Sequence, residues 1–591
     1  MFRSLQRAVK QSFPSLLFLR GRGYPSLSFF TRVLSTESTE TPRERLDYDV
    51  VIVGGGCAGL SAAIRLKTEA EKHHLDLSVC VLEKGESLGS HVMSGCLLNT
   101  DSLSTLLPNW KELDSPIKQR VKEEGMQFLL GKENSFSIPS WLIPRASRHS
   151  DSYVVSLSSV VRWLGGIAEE KGVDVFSDTP VAGLLLQDNK AVGVVTQDKG
   201  LDAQGRPTGI YQRGYEIGGK SVLLAEGVLG SVTEEAIQRF DLQSPQQRTF
   251  GLGIKEVWEM SGCEAALGKV VHTVGYPLQR SFRDRMYGGG FVYFEQPNLV
   301  HITGLDYADC RVSPYEEFQL FKQTDFIASL LRRGERLEYG ARTIFEGGVD
   351  GQCRCVFPGG VVIGEGLGVM DMASMQGAGN AIASGVVVAD SLVKNWGKVA
   401  VGACVEEVET ALKNSAFMKQ LKRSRGQRAA FEKGLLRGMT FAFGNSVLRG
   451  HAPFRRAVAP GEDWEKTKSK AESEKLPARD YEKPDNIVTF DRENSLALSG
   501  LNYPQDHLSH VQVKKGMEKV PVEISLKTYD GPEQRFCPAH VYEYRKREGG
   551  TTELCINHEN CLHCKTCVVK TPKEFIQWSV PGSGGPNYSN M

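Results

Sequence analysis

The run Tyr48-Asp49-Val50-Val51-Ile52-Val53 is β-branched and apolar, as in a strand buried on both faces. It passes straight into Gly54-Gly55-Gly56-Cys57-Ala58-Gly59, and then into Leu60-Ser61-Ala62-Ala63-Ile64-Arg65-Leu66, which has helical periodicity. A second strand, Leu77 to Leu82, ends at Glu83, 24 residues after the last glycine of G-x-G-x-x-G. This strand–turn–helix–strand unit leaves few folds open. Gly54 makes the tight turn, Gly56 lets backbone N–H groups reach a pyrophosphate, and Gly59 lets helix and strand pack closely. The helix N-terminus adds positive potential for phosphates. Glu83 is placed to accept hydrogen bonds from ribose hydroxyls. The expected dinucleotide contacts are therefore Gly54, Gly55, Gly56, Cys57, Ala58, Gly59 and Glu83. No second good fingerprint follows, which favours FAD over NAD(P)H. Two later strand-and-turn runs can complete a flavin site. Val222 to Gly227 contributes Gly227, and Val361 to Asp371 contributes Gly364 and Asp371.

At the other end, Cys561-Leu562-His563-Cys564-Lys565-Thr566-Cys567 reads C-x2-C-x2-C. Two consecutive two-residue gaps let one loop hold three corners of an iron–sulfur cube. The ferredoxin run would place a fourth Cys three residues on. Val568 to Thr571 stands there instead, so the fourth ligand comes from elsewhere, with Cys537 the natural candidate and Cys555 the runner-up. Zinc is the competing occupant, but zinc sites prefer two separated Cys pairs. Thr566 and Tyr542 can each donate a hydrogen bond to a cluster sulfur, which favours the reduced cluster. His563 reads as a hydrogen-bonding rather than a ligating residue. The remaining cysteines among the 13 read as buried thiols.

With 591 residues, the chain needs two or three packed domains. Its net charge of +1 supplies no broad basic field for nucleic acid. That total hides an asymmetry, because 1–36 holds six basic residues and no acid. The segment is Arg- and Ser-rich, with Phe2, Leu5 and Val9 near one helical face, and reads as a mitochondrial transit peptide cleaved near Arg32 to Ser35. No run is long and apolar enough to span a bilayer, so any membrane role is superficial. Met372 to Ala389 reads as a small-residue helix packed close to another surface. Residues 250–345 read as a second domain with an antiparallel sheet, Tyr287-Gly288-Gly289-Gly290-Phe291-Val292-Tyr293 being its clearest piece. Glu462 to Asp485, rich in Lys, Glu, Ser and Pro, reads as an exposed connector.

A nucleotide fingerprint first, an iron–sulfur run last and a mitochondrial address together resemble the electron transfer flavoprotein–ubiquinone oxidoreductase family. So do His272-Thr273-Val274-Gly275, Gly304-Leu305-Asp306-Tyr307, Tyr339-Gly340-Ala341-Arg342, Phe357-Pro358-Gly359-Gly360, Leu412-Lys413-Asn414-Ser415 and, most specifically, Tyr529 to Ala539. The resemblance covers nearly everything after about residue 48. It implies one FAD, and one [4Fe–4S] cluster on Cys537, Cys561, Cys564 and Cys567. It also implies a ubiquinone site at Gly288 and Gly289, and electron delivery from reduced electron transfer flavoprotein to ubiquinone. The implied fold is α/β and α+β. It comprises a Rossmann-like FAD-binding domain over 47–460, an inserted mixed-sheet ubiquinone domain around 120–150 and 250–345, a connector over 461–485, and a ferredoxin-like cluster domain over 486–591. The resemblance further implies monotopic attachment to the matrix face of the inner mitochondrial membrane, through a hairpin near Phe128 to Pro144 and a helix near Gly434 to Phe454. His540 stands where the family usually has glycine. The rival readings are an FAD-dependent reductase or dehydrogenase acting on an organic substrate, which needs no fused cluster, and an FAD- and zinc-stabilised interaction protein.

Overall fold

The computed structural model describes residues 42–591 except 94–96, 145–147, 150, 245, 247, 263, 281–285, 296–297, 449 and 451–461. The expected transit segment, 1–36, lies outside the described residues. The chain opens with β1 (Arg45–Val53), α1 (Cys57–Lys72) and β2 (Val79–Leu82). It leaves for a second sheet through β3 (Glu123–Leu129) and β4 (Ser135–Ser137). It returns as α2 (Leu157–Glu170), β5 (Asp174–Phe176), the pair β6 (Val181–Gln187) and β7 (Lys190–Thr196), and β8 (Glu216–Leu224). A second excursion adds β9 (Phe250–Met260), β10 (Lys269–Gly275), β11 (Tyr287–Glu295), β12 (Asn298–Asp306) and β13 (Gly334–Phe345). The chain comes back through β14 (Val356–Phe357), β15 (Gly360–Val362) and α3 (Ala378–Lys394), followed by α4 (Gln427–Phe431) and α5 (Leu435–Val447).

The first sheet runs β14-β15-β8-β1-β2-β5, with β7 on β8 and β6 on β7. Pairs β15-β8, β8-β1, β1-β2 and β2-β5 are parallel, as the unbroken apolar runs require. α3 packs on α1, and a Cβ at Gly385 would strike the Ala58 carbonyl. The close approach explains the small-residue composition read from the sequence. The helix begins only at Ala378, however, and 372–377 form a loop ahead of it.

The second sheet runs β13-β9-β12-β11-β10-β3-β4. It is antiparallel except where β3 joins β10 in parallel, which makes it mixed. Its two faces have different partners. Leu252, Ile254, Val292, Leu305 and Ala341 share a core with the four cysteines of the C-terminal module. Val257, Val270 and Tyr293, on the opposite face, pack with Leu97 and Val154 of the first excursion. The cysteine module thus packs on one face of the sheet and the first-excursion strands on the other. The segment 462–485 carries exposed charges, yet Asp463, Thr467 and Ser473 are buried anchors along it. The last module contains β16 (Val511–Val513), β17 (Tyr542–Lys546), β18 (Thr552–Ile556), α6 (Thr566–Lys570) and β19 (Ile576–Trp578). Here β16 pairs with β19 and β17 with β18.

Candidate functional site

The fingerprint folds as its spacing requires. Gly54 has φ +106°, and its N–H donates to the Leu82 carbonyl at 2.8 Å. A Cβ on Gly59 would collide with the Gly54 carbonyl. A Cβ on Gly56, by contrast, would meet nothing within 4 Å. The N-terminus of α1 has no side-chain cap. Its first N–H groups therefore face a cradle that a diphosphate fits. Glu83 accepts from Gly55 N–H and Gly85 N–H, both at 2.8 Å, which fixes its carboxylate at the end of β2. Gly364, with φ +63°, brings the turn after β15 against Ala58, where a Cβ would lie 2.7 Å from Ala58 Cβ. Gly227, with φ +78°, faces Arg342, whose Nη2 would sit 3.6 Å from a Cβ there. Asp371 is buried and shapes its own loop, accepting from Ala373 N–H at 3.0 Å and from the Ser374 hydroxyl at 2.7 Å. Glu365, which sequence reasoning passed over, is the acid next to Gly364. Burial pushes its carboxyl up to about 8 despite hydrogen bonds from the Met370 and Val369 backbone.

Sequence reasoning also missed a group of cations. Lys84 and Arg342 are half-buried and Lys565 is buried. Burial and the charge of Arg342 push Lys565 down to about 8, and burial with both neighbours pushes Lys84 well below its ordinary value. The Arg342 guanidinium is the lasting positive charge beside Gly227, and the two lysines give up their protons more readily for its presence. That charge suits a dinucleotide's phosphates or an electron-rich ring. No local motif marks these residues, since they come from three separate segments. FAD therefore fits the residues present.

The four cysteines of the C-terminal module are buried together. Burial and neighbouring cysteines push the Cys561 thiol up to about 12 and Cys537 up to about 11, and they raise Cys567 well above its ordinary value. Sulfurs held so give up their protons only to a cationic centre. A single zinc would hold its sulfurs roughly 3.8 Å apart, given Zn–S bonds of about 2.3 Å. Among the described residues, these cysteines form no group of three whose ligand atoms lie within 4.8 Å of one another. That spacing suits a cube and not one ion. Two buried donors without other partners also face the site. The Tyr542 hydroxyl lies at Cys567 and the Trp578 indole N–H at Cys561. Such donors suit sulfur acceptors of a bound cluster. Thr566 lies at Cys564 and shares a 2.9 Å hydrogen bond with the Thr343 hydroxyl. Cys555 stands apart on β18, paired across the hairpin with Glu543. His540 has φ +53°, which explains why glycine suits that position, and its ring meets Glu493 at 2.9 Å. His563 is fully buried and spends both ring nitrogens on hydrogen bonds, Nδ1 with Lys84 Nζ at 3.1 Å and Nε2 with the Tyr503 hydroxyl at 2.9 Å. The loop that holds three cysteines thereby touches the residue after Glu83.

These contacts set the expected tuning. Tyr542→Phe and Thr566→Ala should each keep the cluster and lower its reduction potential by about 20–60 mV, the loss of one ordinary hydrogen bond to the reduced state. A potentiometric titration followed by electron paramagnetic resonance reads this. Unchanged or raised potentials in both variants would refute the assignment.

Gly288 and Gly289 lie on β11, and the sheet itself demands both. Gly288 has φ +148°, and a Cβ there would lie 2.7 Å from Leu278 Cδ1. A Cβ on Gly289 would lie 2.5 Å from the Thr273 carbonyl. The neighbouring strands extend the bare strip, because Gly289 pairs with Gly304, Gly304 with Gly253 and Gly253 with Arg342. Paired residues share a face, so three glycines in a row expose backbone leading toward Arg342. At Gly304 a Cβ would meet only Ile344 Cδ1, at 4.0 Å, among the described residues. On the same face, the Arg428 guanidinium stacks 4.0 Å over the Tyr287 ring.

Comparison with known proteins gives consistent matches. A family model described as "Electron transfer flavoprotein-ubiquinone oxidoreductase, 4Fe-4S" matches residues 486–589. One described as "ETF-QO, ubiquinone-binding" matches 250–344, and "FAD binding domain" matches 49–100. The mitochondrial electron transfer flavoprotein–ubiquinone oxidoreductase of Arabidopsis thaliana is 39% identical over 563 residues, covering 94% of this chain and 86% of that one. The Homo sapiens protein of the same name is 37% identical over 578 residues, covering 94% and 91%. A geranylgeranyl bacteriochlorophyll reductase-like protein from Thermoplasma acidophilum shares the fold at TM-score 0.50 and 16% identity, covering 70% of this chain and 94% of that one.

Proposed function

The chain belongs to the electron transfer flavoprotein–ubiquinone oxidoreductase family, and from that premise we propose how its residues divide the work. The protein is an oxidoreductase that carries electrons from reduced electron transfer flavoprotein to ubiquinone. FAD, which can hold one or two electrons, and a [4Fe–4S] cluster, which holds one, supply the redox chemistry that matches single-electron delivery to two-electron quinone reduction. The chain's own part is to bind, space and tune them. Gly54 to Gly59, Glu83, Gly227 and Gly364 form the FAD cradle, with Arg342 supplying positive charge. Asp371 shapes the loop that closes it. Cys537, Cys561, Cys564 and Cys567 hold the cluster. Tyr542, Thr566 and Trp578 donate to its sulfurs.

Ubiquinone lies against the strip Gly253–Gly304–Gly289, in this reading. A flat ring needs backbone donors and apolar walls, and a side-chain-free strip beside Tyr287 and Phe291 offers both. The strip is the observation that carries the assignment. Gly304→Phe tests it more cleanly than a change at Gly288 or Gly289, because the added ring enters open space rather than the sheet. The variant should retain FAD and still be bleached by reduced electron transfer flavoprotein, while quinone reduction falls at least tenfold. Quinone reduction at the wild-type rate would place the pocket elsewhere, and loss of FAD would make the strip part of the flavin site.

Homologues named as mitochondrial support that compartment for this chain. We infer import by the segment 1–36 and attachment to the matrix face of the inner membrane. No helix among the described residues is long and apolar enough to cross a membrane. Two apolar surfaces instead suit shallow insertion. α5 exposes Leu436, Met439, Phe443 and Val447 along one stripe, and the hairpin region exposes Leu130, Phe136 and Trp141, the last 71% exposed. Arg437 on α5 can reach headgroups by snorkelling.

A further inference from the structure

Arg342 lies where the cluster loop, the flavin cradle and the glycine strip meet. It stands on β13, the edge strand of the second sheet. Its Nη1 donates to the carbonyl of His563, between Cys561 and Cys564, at 3.3 Å. The next residue holds the same loop, because Thr343 N–H donates to the Cys564 carbonyl at 3.1 Å. Nη2 faces the cradle, 3.6 Å from where a Cβ on Gly227 would stand. Across the strand pair, Arg342 is the partner of Gly253, the last glycine of the bare strip.

Among the described residues this guanidinium forms no salt bridge, and the His563 carbonyl is its one hydrogen-bond acceptor. Glu83 acts on it without contact, and the other groups that favour its charge are the Cys564 sulfur and the Tyr588 hydroxyl. Arg342 is half-buried, yet it stays charged, since a guanidinium does not give up its proton in a protein. Holding the His563 carbonyl needs one N–H donor of the five, and a neutral amide would supply it at a lower desolvation cost. A positive charge kept unpaired in such a place points to a negative charge that comes and goes. Electrons arriving at the cluster and at FAD are such a charge.

We propose that Arg342 is a charge-tuning residue shared by both cofactors, stabilising the reduced cluster and the reduced flavin alike. The inference rests on Gly227 lying in the FAD cradle and on the four-cysteine ligand set. Each electron handed over oxidises electron transfer flavoprotein by one unit and adds one negative charge to the cofactors of this chain. No bond forms or breaks at Arg342, and its hydrogens stay in place. A fixed positive charge lowers the energy of both reduced forms and so raises both potentials. Because one charge acts on both, it raises the two together rather than opening a gap between them.

Arg342→Gln keeps a donor for the His563 carbonyl and removes the charge, while Arg342→Lys keeps the charge and loses the fork. Spectroelectrochemical titration reads the flavin and electron paramagnetic resonance reads the cluster, both in the protein loaded with FAD and cluster. In Arg342→Gln both reduction equilibria should weaken about tenfold, which is about 59 mV for the one-electron cluster and about 30 mV for the two-electron flavin. Arg342→Lys should recover most of both shifts. The shifts should persist at high ionic strength, because salt screens a charge held out of water only weakly.

Unchanged potentials in Arg342→Gln, or equal falls in Arg342→Gln and Arg342→Lys, would overturn the proposal. A fall at the cluster alone would confine Arg342 to the cysteine loop and overturn the sharing. Gly56→Leu tests the cradle by itself, since a Cβ there meets nothing within 4 Å. If that variant retains FAD, the cradle reading fails first; if it loses FAD while Arg342→Gln leaves both potentials unmoved, the tuning alone fails. Should Arg342→Gln itself lose FAD, retention of FAD in Arg342→Lys and a cluster potential that falls only in Arg342→Gln are the expected results. A cluster potential equal in wild type and both variants would then overturn the proposal.

Discussion

Replacing Cys537 with alanine should abolish the paramagnetic signal of the reduced cluster while FAD stays bound. Cys537 lies 24 residues before Cys561, outside the C-x2-C-x2-C run, so no local pattern forces it to be a ligand. The structure brings its sulfur into the pocket of the other three, where Val541 N–H also points at it, at 3.5 Å. A cube with one corner missing is labile, and the binding energy of the metal centre is part of the module's folding energy. The FAD cradle rests on the first sheet, so its occupancy should survive. Cys555→Ala is the companion, because Cys555 sits on the hairpin beside Glu543. It should leave the signal intact. A normal signal from Cys537→Ala together with loss in Cys555→Ala would reverse the assignment.

The second large effect is on stability. Replacing Arg428 with methionine should cost about 3–5 kcal/mol of unfolding free energy, the usual result of leaving buried charges unpaired. Arg428 is buried, with Nε on Glu346 at 2.6 Å and Nη2 on Asp306 at 2.5 Å. Lys570 of α6 bridges Asp306 and Asp463, each at 2.6 Å, and Lys466 reaches Asp463 at 3.1 Å and Glu432 at 3.3 Å. One network thus clamps β12, the end of β13, α4, the segment 462–466 and the cluster module. Burial alone would push the Asp306 carboxyl up, but Lys570 and Arg428 hold it at about 2. A depressed carboxyl contributes stability above its unfolded value of about 3.9, and that contribution is lost as pH falls through about 2. Urea unfolding reads the cost at neutral pH. A loss below about 1 kcal/mol would mean that Glu346, which burial raises, already carries a proton and needs no partner. Arg428 also stacks on Tyr287, so quinone reduction should weaken in the same variant.

The sequence by itself determined what is local. The fingerprint from Tyr48 to Glu83 dictated a parallel strand, a tight turn and a helix, because each glycine answers a contact within a few residues or with the adjoining strand. The C-x2-C-x2-C loop dictated a metal centre, because three sulfurs at that spacing can close on one cluster. FAD, the cluster and its donors Tyr542 and Thr566 were legible in these residues, and family resemblance added the quinone site at Gly288 and Gly289. The small-residue run at 372–389 announced close packing, although its first turn became a loop around Asp371. Other features depended on residues that meet only across the fold. The placing of β13 at the sheet edge brought Arg342 to the cluster loop and to the flavin cradle. The buried Arg428 network draws on five segments. Pairing across four strands aligned Gly289, Gly304, Gly253 and Arg342, although each glycine alone reads as a turn or a weak strand. Charge and shape at a site are sums over neighbours in space, and a sequence orders neighbours only along the chain. Tertiary structure therefore decided where the bare strip lies, which carboxylates stay charged and which cation serves two cofactors.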